Sequence, residues 1–353
     1  MSQEPHQEEQ VQDLGEQEIL KRLYTFCPID VVGDDAALLS LSPGHCLVVT
    51  TDMLVDQVHF SDHTTHPSDV GWRAATANLS DLAAMGAEPL GITVSLGLPG
   101  TLPITWVEEL YRGLTDCLNQ YQTAIVGGDV CRSSVTTVSI TAFGQVHPSR
   151  ILKRANAKPG QVILVTGVHG ASRAGLELLL HPEKGQTLDQ ISRDRLIQAH
   201  QRPCPRLDVI SLMRQVMTSG EWGVGNGEWG SEIAAMDSSD GLADAVVQIC
   251  RASGVGAVLE RDRLPISADL NALVAEGEIS EAEAIDWVLY GGEDFELVIC
   301  LPPAMAEAVM SQLGEDAAIV GRITENQDMI LSDPTGTYSD DRLGLERGFQ
   351  HFQ

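Results

Sequence analysis

Carboxylates are the residues of this sequence best placed to do chemistry. They sit in short motifs whose other members are small or apolar: VVGDDAALL around Asp34 and Asp35, VVTTDML around Asp52, and ANLSDLAAMGA around Asp81. IVGGDV carries Asp129, MDSSDGL carries Asp237 and Asp240, and YGGEDFEL carries Glu293 and Asp294. Such neighbours provide no counter-ion. Two carboxylates about 4 Å apart repel by roughly 4 kcal/mol at an effective dielectric near 20, so a cluster of them calls for cations. Oxygen donors without clustered Cys or His select hard ions, Mg2+ or Ca2+. No D-x-[DN]-x-[DN]-G loop is present, which removes the EF-hand. Mg2+ is held by a few carboxylates together with waters and substrate phosphates, so the pattern points to an enzyme of nucleotide phosphates. Taken singly, each acid also fits a turn or a helix cap. Asp240 fits best, because SDGLADAVVQI reads as a helix start.

The usual phosphate-binding signatures are missing. There is no G-x-x-x-x-G-K-[ST] and no H-R-D or D-F-G, which argues against P-loop enzymes and protein kinases. The stretch TGVHG at 166–170 follows VILV and precedes ASRAGLELLL. It can aim helix N-terminal amides at an anion, and a plain tight turn accounts for it equally well. Cationic side chains are sparse, with Lys153 and Arg154 the best placed. Phosphoryl transfer with so few bases has to rely on metal ions.

These motifs need elements to position them. Strands are expected at 46–50, 124–126, 135–143, 162–166 and 295–301, and helices at 15–26, 69–85, 105–121, 175–180 and 241–252. Their alternation predicts an α/β (α+β) protein. A polar, basic stretch ending in Pro-Gly at 149–160 marks a boundary, giving domains at 14–149 and 150–353. Residues 1–13 read as an acidic, mobile tail. The stretch 219–232 repeats GEWG and reads as an inserted surface loop with two exposed tryptophans.

The chain has 353 residues, enough for about two domains. It carries 50 acidic and 22 basic residues, a net charge of −28. That field argues against nucleic-acid backbones and anionic membranes as partners. No apolar run of 18 residues is present, and the start has neither the basic nor the apolar part of a signal peptide. Seven scattered cysteines read as reduced thiols of a cytoplasmic protein, with Cys46, Cys250 and Cys300 expected in the core.

In order and spacing, GDDAA at 33–37, TTDMLVDQVHF at 50–60, NLSDLAAMGA at 78–87, GGD at 127–129, DSSDGL at 237–242 and GGEDFEL at 291–297 resemble the thiamine-monophosphate kinase family. The resemblance spans residues 15–352. The wider superfamily includes aminoimidazole ribonucleotide synthetase, selenide water dikinase and the hydrogenase-maturation dehydratase. The motif at 78–87 and the segment reaching His59 and Phe60 place the chain with the kinase.

The resemblance implies a two-domain aminoimidazole ribonucleotide synthetase-like fold. Its N-terminal sheet would form a barrel with a second subunit, making a homodimer, and its C-terminal domain would be a mixed-sheet α/β unit. It implies transfer of the ATP γ-phosphoryl to thiamine monophosphate, giving thiamine diphosphate and ADP. Carried over by position, Asp35, Thr50, Thr51, Asp52, Asp81, Asp129 and Asp237 resemble Mg2+ ligands, with Asp240 holding a further ion. Gly128, Asp129, Arg154 and Ser239 resemble the ATP contacts, and His59, Glu293 and Phe349 the thiamine-side contacts. Blander roles stand beside these: a turn histidine for His59, core packing for Phe349 and a solvated linker charge for Arg154. One serine of DSSD stands where the family usually has an apolar residue. A phosphate nucleophile is already largely ionised at neutral pH, so no general base is assigned. Asp35, Asp52, Asp81, Asp129 and Asp237 would support direct in-line transfer without a phosphoenzyme.

Other readings have weaker support. A dikinase would need a reactive thiol in a glycine-rich loop, which Cys27 lacks. The ribotide-binding set of the synthetase is not found. A non-catalytic metal- and nucleotide-binding regulator would be expected to have lost some of the acids. An acidic structural or Ca2+-buffer protein is told apart by whether nucleotide binding depends on Mg2+.

Overall fold

Strict alternation of buried and half-covered side chains shapes the first sheet. In TVSITAFGQV, residues 137–146, Val138, Ile140, Ala142 and Val146 turn inward. The computed structural model describes residues 9–28, 31–32, 36–219 and 229–348. The chain divides into two units. One comprises Met1–Leu41, Val49–Asn78 and Pro89–Gly144, and the other Ser42–Val48, Leu79–Glu88 and Gln145–Gln353.

Through Val146 the elements are α1 (Val11–Leu14), α2 (Glu16–Leu23), β1 (Cys46–Val55), α3 (Pro67–Ala84) and β2 (Glu88–Leu98), then α4 (Ile104–Gln120), β3 (Ile125–Arg132) and β4 (Thr137–Val146). The four strands form a sheet in the order β1-β4-β2-β3. β2 and β3 run parallel with Ser95 opposite Asp129. In α4, Ile104, Val107, Leu110, Tyr111, Leu114, Cys117 and Leu118 are buried, the stripe expected of an amphipathic helix. α3 and α4 meet backbone to backbone, because a Cβ at Gly71 or Gly113 would collide with the carbonyl of Leu110 or Ser68. β2 is longer than anything the pattern signals there, since Pro89, Gly91 and Gly97 interrupt its apolar run. Residues 1–8 of the expected tail lie outside the described residues. Glu9–Asp13 is tied to the turn at 100–104 by hydrogen bonds such as Val11 N–H to Leu102 O (2.9 Å) and Gln12 N–H to Gly100 O (2.9 Å).

From residue 145 onward come β5 (Val162–Val165), α5 (Ala171–Leu180), α6 (Gln190–Gln201), α7 (Leu207–Ser219), β6 (Ala234–Asp237), α8 (Leu242–Ser253) and β7 (Gly256–Glu260). They are followed by α9 (Ala268–Ala275), α10 (Glu281–Tyr290), β8 (Leu297–Leu301), α11 (Pro303–Leu313), β9 (Ala318–Thr324), β10 (Met329–Ser332) and β11 (Asp341–Arg342). The sheet order is β11-β10-β7-β9-β5-β8-β6. β5 lies antiparallel to both β8 and β9, while β10 runs parallel to β7, so the sheet is mixed as expected. β5 and β8 are central and buried, which is why VILV and LVICL are continuous apolar runs. Ile163, Val165, Val246, Ile249, Cys250, Leu289 and Val298 share one core.

Two expectations are corrected here. Cys46 opens an edge strand and is exposed, whereas Cys250 and Cys300 are buried. Trp229 is not on the surface but 1% exposed, and the following Gly230 approaches the backbone of Ser149 and Ile151. The other tryptophan of that stretch, Trp222, lies outside the described residues. No helix among the described residues is long and apolar enough to cross a membrane.

Candidate active site

Two acidic loops meet where β6 ends and β8 begins. The Asp237 carboxylate closes β6 and is 2% exposed. Ser80 donates its hydroxyl to Oδ2 at 2.8 Å and Ser239 to Oδ1 at 3.2 Å. Asp240 follows and is exposed. It lies in the turn that leads into α8, as the sequence allows, while Gly241 at φ +107° takes the cap position. The second loop reaches the first through its backbone, with the Glu293 N–H donating to Ser239 O at 2.7 Å. A Cβ at Gly292 would stand 2.7 Å from that same carbonyl, so glycine is required there. Gly292, Glu293 and Phe295 all take left-handed backbone, with φ of +67°, +58° and +53°. For a non-glycine residue this costs about 1–2 kcal/mol, and such strain persists where surrounding structure holds it.

The hold comes from α5. Gly170 N–H and Ser172 N–H donate to the two oxygens of Asp294, at 2.7 and 2.9 Å. The acceptor at this helix N-terminus is therefore the protein's own carboxyl group, and the TGVHG stretch clamps Asp294. Burial pushes the Asp294 carboxyl up to about 7, with the two amide bonds pulling down and the charges of Glu296 and Glu293 adding to the rise. His169 is completely buried. Its Nδ1–H donates to Gly167 O at 3.1 Å, and Nε2 accepts from the Ser238 hydroxyl at 3.1 Å. Burial lowers it to about 4, with the bond to Gly167 working the other way. Beneath the loop, Glu296 accepts from Thr166 Oγ1 and Arg206 Nη1, each at 2.5 Å. Burial opposes the Arg206 charge, yet Glu296 and Asp208 raise it above the usual guanidinium range.

The other motif residues are placed by the first sheet and α3. The Asp52 N–H donates to Asn78 Oδ1 (3.2 Å), and the Asn78 amide donates to Ala74 O (3.0 Å), so Asn78 ties β1 to α3. Thr51 gives its hydroxyl proton to Ile140 O at 2.7 Å and accepts from Thr141 Oγ1 at 3.5 Å, which leaves one lone pair for a ligand. Thr50 is half-buried beside it. Asp81 is half-buried on α3. A Cβ at Gly128 would collide with the Val94 carbonyl, so backbone approach demands glycine there. Asp129 is exposed next to it. The His59 Nδ1 accepts from Val55 N–H (3.1 Å), so any contact it makes with a ligand has to use Nε2. Arg154 donates to Gln248 on α8 at 2.7 Å. Asp35 and Phe349 lie outside the described residues. Gly348, just before Phe349, stands beside Asp240, whose carbonyl would be 3.5 Å from a Cβ placed there.

Among the described residues no three His, Cys, Asp or Glu side chains are close enough to hold a metal by themselves. Sequence reasoning passed over His169, Ser172, His200, Arg206 and Glu296. No local signal marks their place in the site, because apart from the His169–Gly167 and Arg206–Asp208 contacts the partners that hold them there are 28 to 130 residues away along the chain.

The two mixed α/β units and their glycine-flanked acidic loops define a two-domain AIR synthase related protein. Residues 33–146 match the family model "AIR synthase related protein, N-terminal domain", and residues 231–333 match the corresponding C-terminal domain. Within that class the chain is 48% identical over 343 residues to the thiamine-monophosphate kinase of Synechococcus elongatus, covering 96% of this chain and 97% of that one. It is 31% identical to the crystal structure of thiamine-monophosphate kinase from Stenotrophomonas maltophilia, with a TM-score of 0.73 over 90% of this chain and 95% of that one. A structure of AaThiL complexed with AMPPCP and TMP gives 28% identity and a TM-score of 0.69, over 95% of this chain and 98% of that one. The chain belongs to the thiamine-monophosphate kinase family.

Proposed function

We propose that this chain transfers the γ-phosphoryl group of ATP to the phosphate of thiamine monophosphate, forming thiamine diphosphate and ADP by direct in-line attack. The observation that carries this reading is the joining of DSSDGL and GGEDFEL by the Glu293–Ser239 backbone bond, in a chain of this family. The acceptor phosphate needs no base, being largely ionised at neutral pH. The chain's task is to hold two anions together and in line.

Carboxylates and hydroxyls make up the donor set, which fits Mg2+. Asp35, Thr50, Thr51, Asp52, Asp81, Asp129 and Asp237 would hold it, with Asp240 at a further ion. When bound, Mg2+ supplies charge neutralisation of the phosphates. Gly128 leaves the backbone open to the nucleotide, with Asp129, Ser239 and Arg154 as its other contacts. Glu293 is 35% exposed and presents a carboxylate to the cationic thiazolium or the pyrimidine amine of the substrate, with His59 and Phe349 on the same substrate. Exposed Leu47, Val49 and Met53 on edge strand β1 support a homodimer. Seven scattered thiols favour a reducing, cytoplasmic setting.

The test is a product analysis. Protein incubated with Mg-ATP and thiamine monophosphate should yield thiamine diphosphate and ADP one to one, and labelled ATP should leave no stable phosphoprotein. Untouched thiamine monophosphate with slow ATP hydrolysis would move the substrate to another branch of the superfamily. A stoichiometric phosphoprotein would overturn direct transfer.

A further inference from the structure

The loop that carries Glu293 is gripped by a second helix that none of the motifs includes. His200, in the last turns of α6, is 2% exposed. Its Nδ1 lies 3.2 Å from the Ser172 hydroxyl and 3.6 Å from Glu293 Oε2. Ser172 is itself bound to the loop, since its N–H holds Asp294 at 2.9 Å. Glu293 therefore has its backbone fixed through Ser239 O, its neighbour Asp294 fixed by α5, and its carboxylate faced by a buried imidazole. Ser172 and His200 fall in residues 147–230, the stretch covered by neither matched domain. None of the motifs that carry the family resemblance includes them.

A buried imidazole beside a strained, partly exposed carboxylate is an arrangement that fixes direction. Glu293 takes left-handed backbone, with φ of +58°. A proton on Nδ1, carried by the Nδ1–H tautomer and by the imidazolium, points positive charge at Oε2. The Ser172 hydroxyl holds the ring at the same nitrogen. Polar partners of this kind are how a scaffold locks the rotamer of a binding group.

We propose that His200, oriented by Ser172, is a positioning residue that sets the Glu293 carboxylate for the cationic or amine-bearing end of the acceptor substrate, and so sets selectivity for that substrate rather than for ATP. The proposal rests on the reading of Glu293 as an acceptor-substrate contact. Steady-state kinetics of the full chain with Mg-ATP and thiamine monophosphate test both. His200→Leu should raise KM for thiamine monophosphate about tenfold, leaving kcat and KM for ATP within about twofold. His200→Asn, which returns an amide near the Nδ1 position, should recover most of the loss. Glu293→Gln should raise the same KM, and His200→Leu added to it should do no further harm, because one residue acts through the other.

Additive effects in the double variant, or equal damage from Leu and Asn with both KM values rising, would overturn the positioning role. A normal KM for thiamine monophosphate in Glu293→Gln would overturn the Glu293 reading and the proposal with it. A raised KM in Glu293→Gln beside an unchanged one in His200→Leu would remove His200 alone. If His200→Leu fails to fold, Ser172→Ala takes its place. That variant should raise KM for thiamine monophosphate about threefold, and an unchanged KM would count against the proposal.

Discussion

Asp237 combines two demands that rarely meet in one carboxylate. It is buried at the end of β6, an edge strand of the seven-stranded sheet, where an ionised acid is costly, and it accepts hydroxyl donors from Ser80 and Ser239 on its two oxygens. Hydroxyls can rotate to serve an amide as well as a carboxylate. Asp237→Asn should therefore keep the fold, with a loss of about 1–2 kcal/mol from re-paired hydrogen bonds. If Asp237 holds Mg2+, the same change should lower kcat by at least about a hundredfold, the scale seen when an electrostatic group at the transition state is removed. Circular dichroism with thermal melting reads the first effect and initial rates read the second. Near-normal turnover would leave Asp237 as a hydroxyl acceptor only.

At the scale of elements, the Gly291–Phe295 turn works because α5 and the buried residues around it offset its strain. His169 and Asp294 make that arrangement sensitive to pH in opposite directions. The Asp294 carboxyl rises from 3.8 to about 7, so the folded chain keeps a proton that the unfolded chain has released. Its contribution is complete below pH 3.8 and is lost as pH rises through about 7, a loss on the order of 4 kcal/mol. His169 falls from 6.5 to about 4, so its contribution is complete above pH 6.5 and is lost as pH drops toward 4. Two variants separate them. Asp294→Asn turns an amide toward an α5 N–H and should destabilise most near pH 5, the gap to wild type narrowing toward pH 8. His169→Gln should destabilise most near pH 7.5, the gap narrowing toward pH 5. Denaturant unfolding across this range checks both, and parallel trends would refute the assignment. The sequence announced much of this region. Apolar runs marked β5 and β8, and GGEDFEL stood out as an acidic motif leading into the second of them. It could not announce the clamp, because Asp294 meets Gly170 and Ser172 from more than 120 residues away and neither pattern nor spacing encodes that pairing. α6 escaped for a similar reason: its face is largely polar, and only Ser192, Leu196 and His200 are buried.

For the molecule as a whole, charge and an uncovered strand pull against each other. β1 is an edge strand with Leu47, Val49 and Met53 about half exposed on one face, and long apolar edges invite pairing. A second copy of the chain is the cover that the family resemblance implies. Each copy carries a net charge of −28, so association brings like charges together. Screening shortens the reach of that repulsion to about 10 Å at 0.1 M salt. The wild-type chain should therefore scatter light as a dimer at physiological salt and begin to dissociate on dilution at low salt, with a melting temperature that depends on protein concentration. Val49→Glu combined with Met53→Glu adds charge to the same face of β1 without touching its inward side. That variant should scatter as a monomer at every salt concentration, and its melting temperature should no longer depend on protein concentration. A wild-type monomer at micromolar concentration in 0.15 M salt would exclude the homodimer, whereas a variant that stays dimeric would place the interface away from β1.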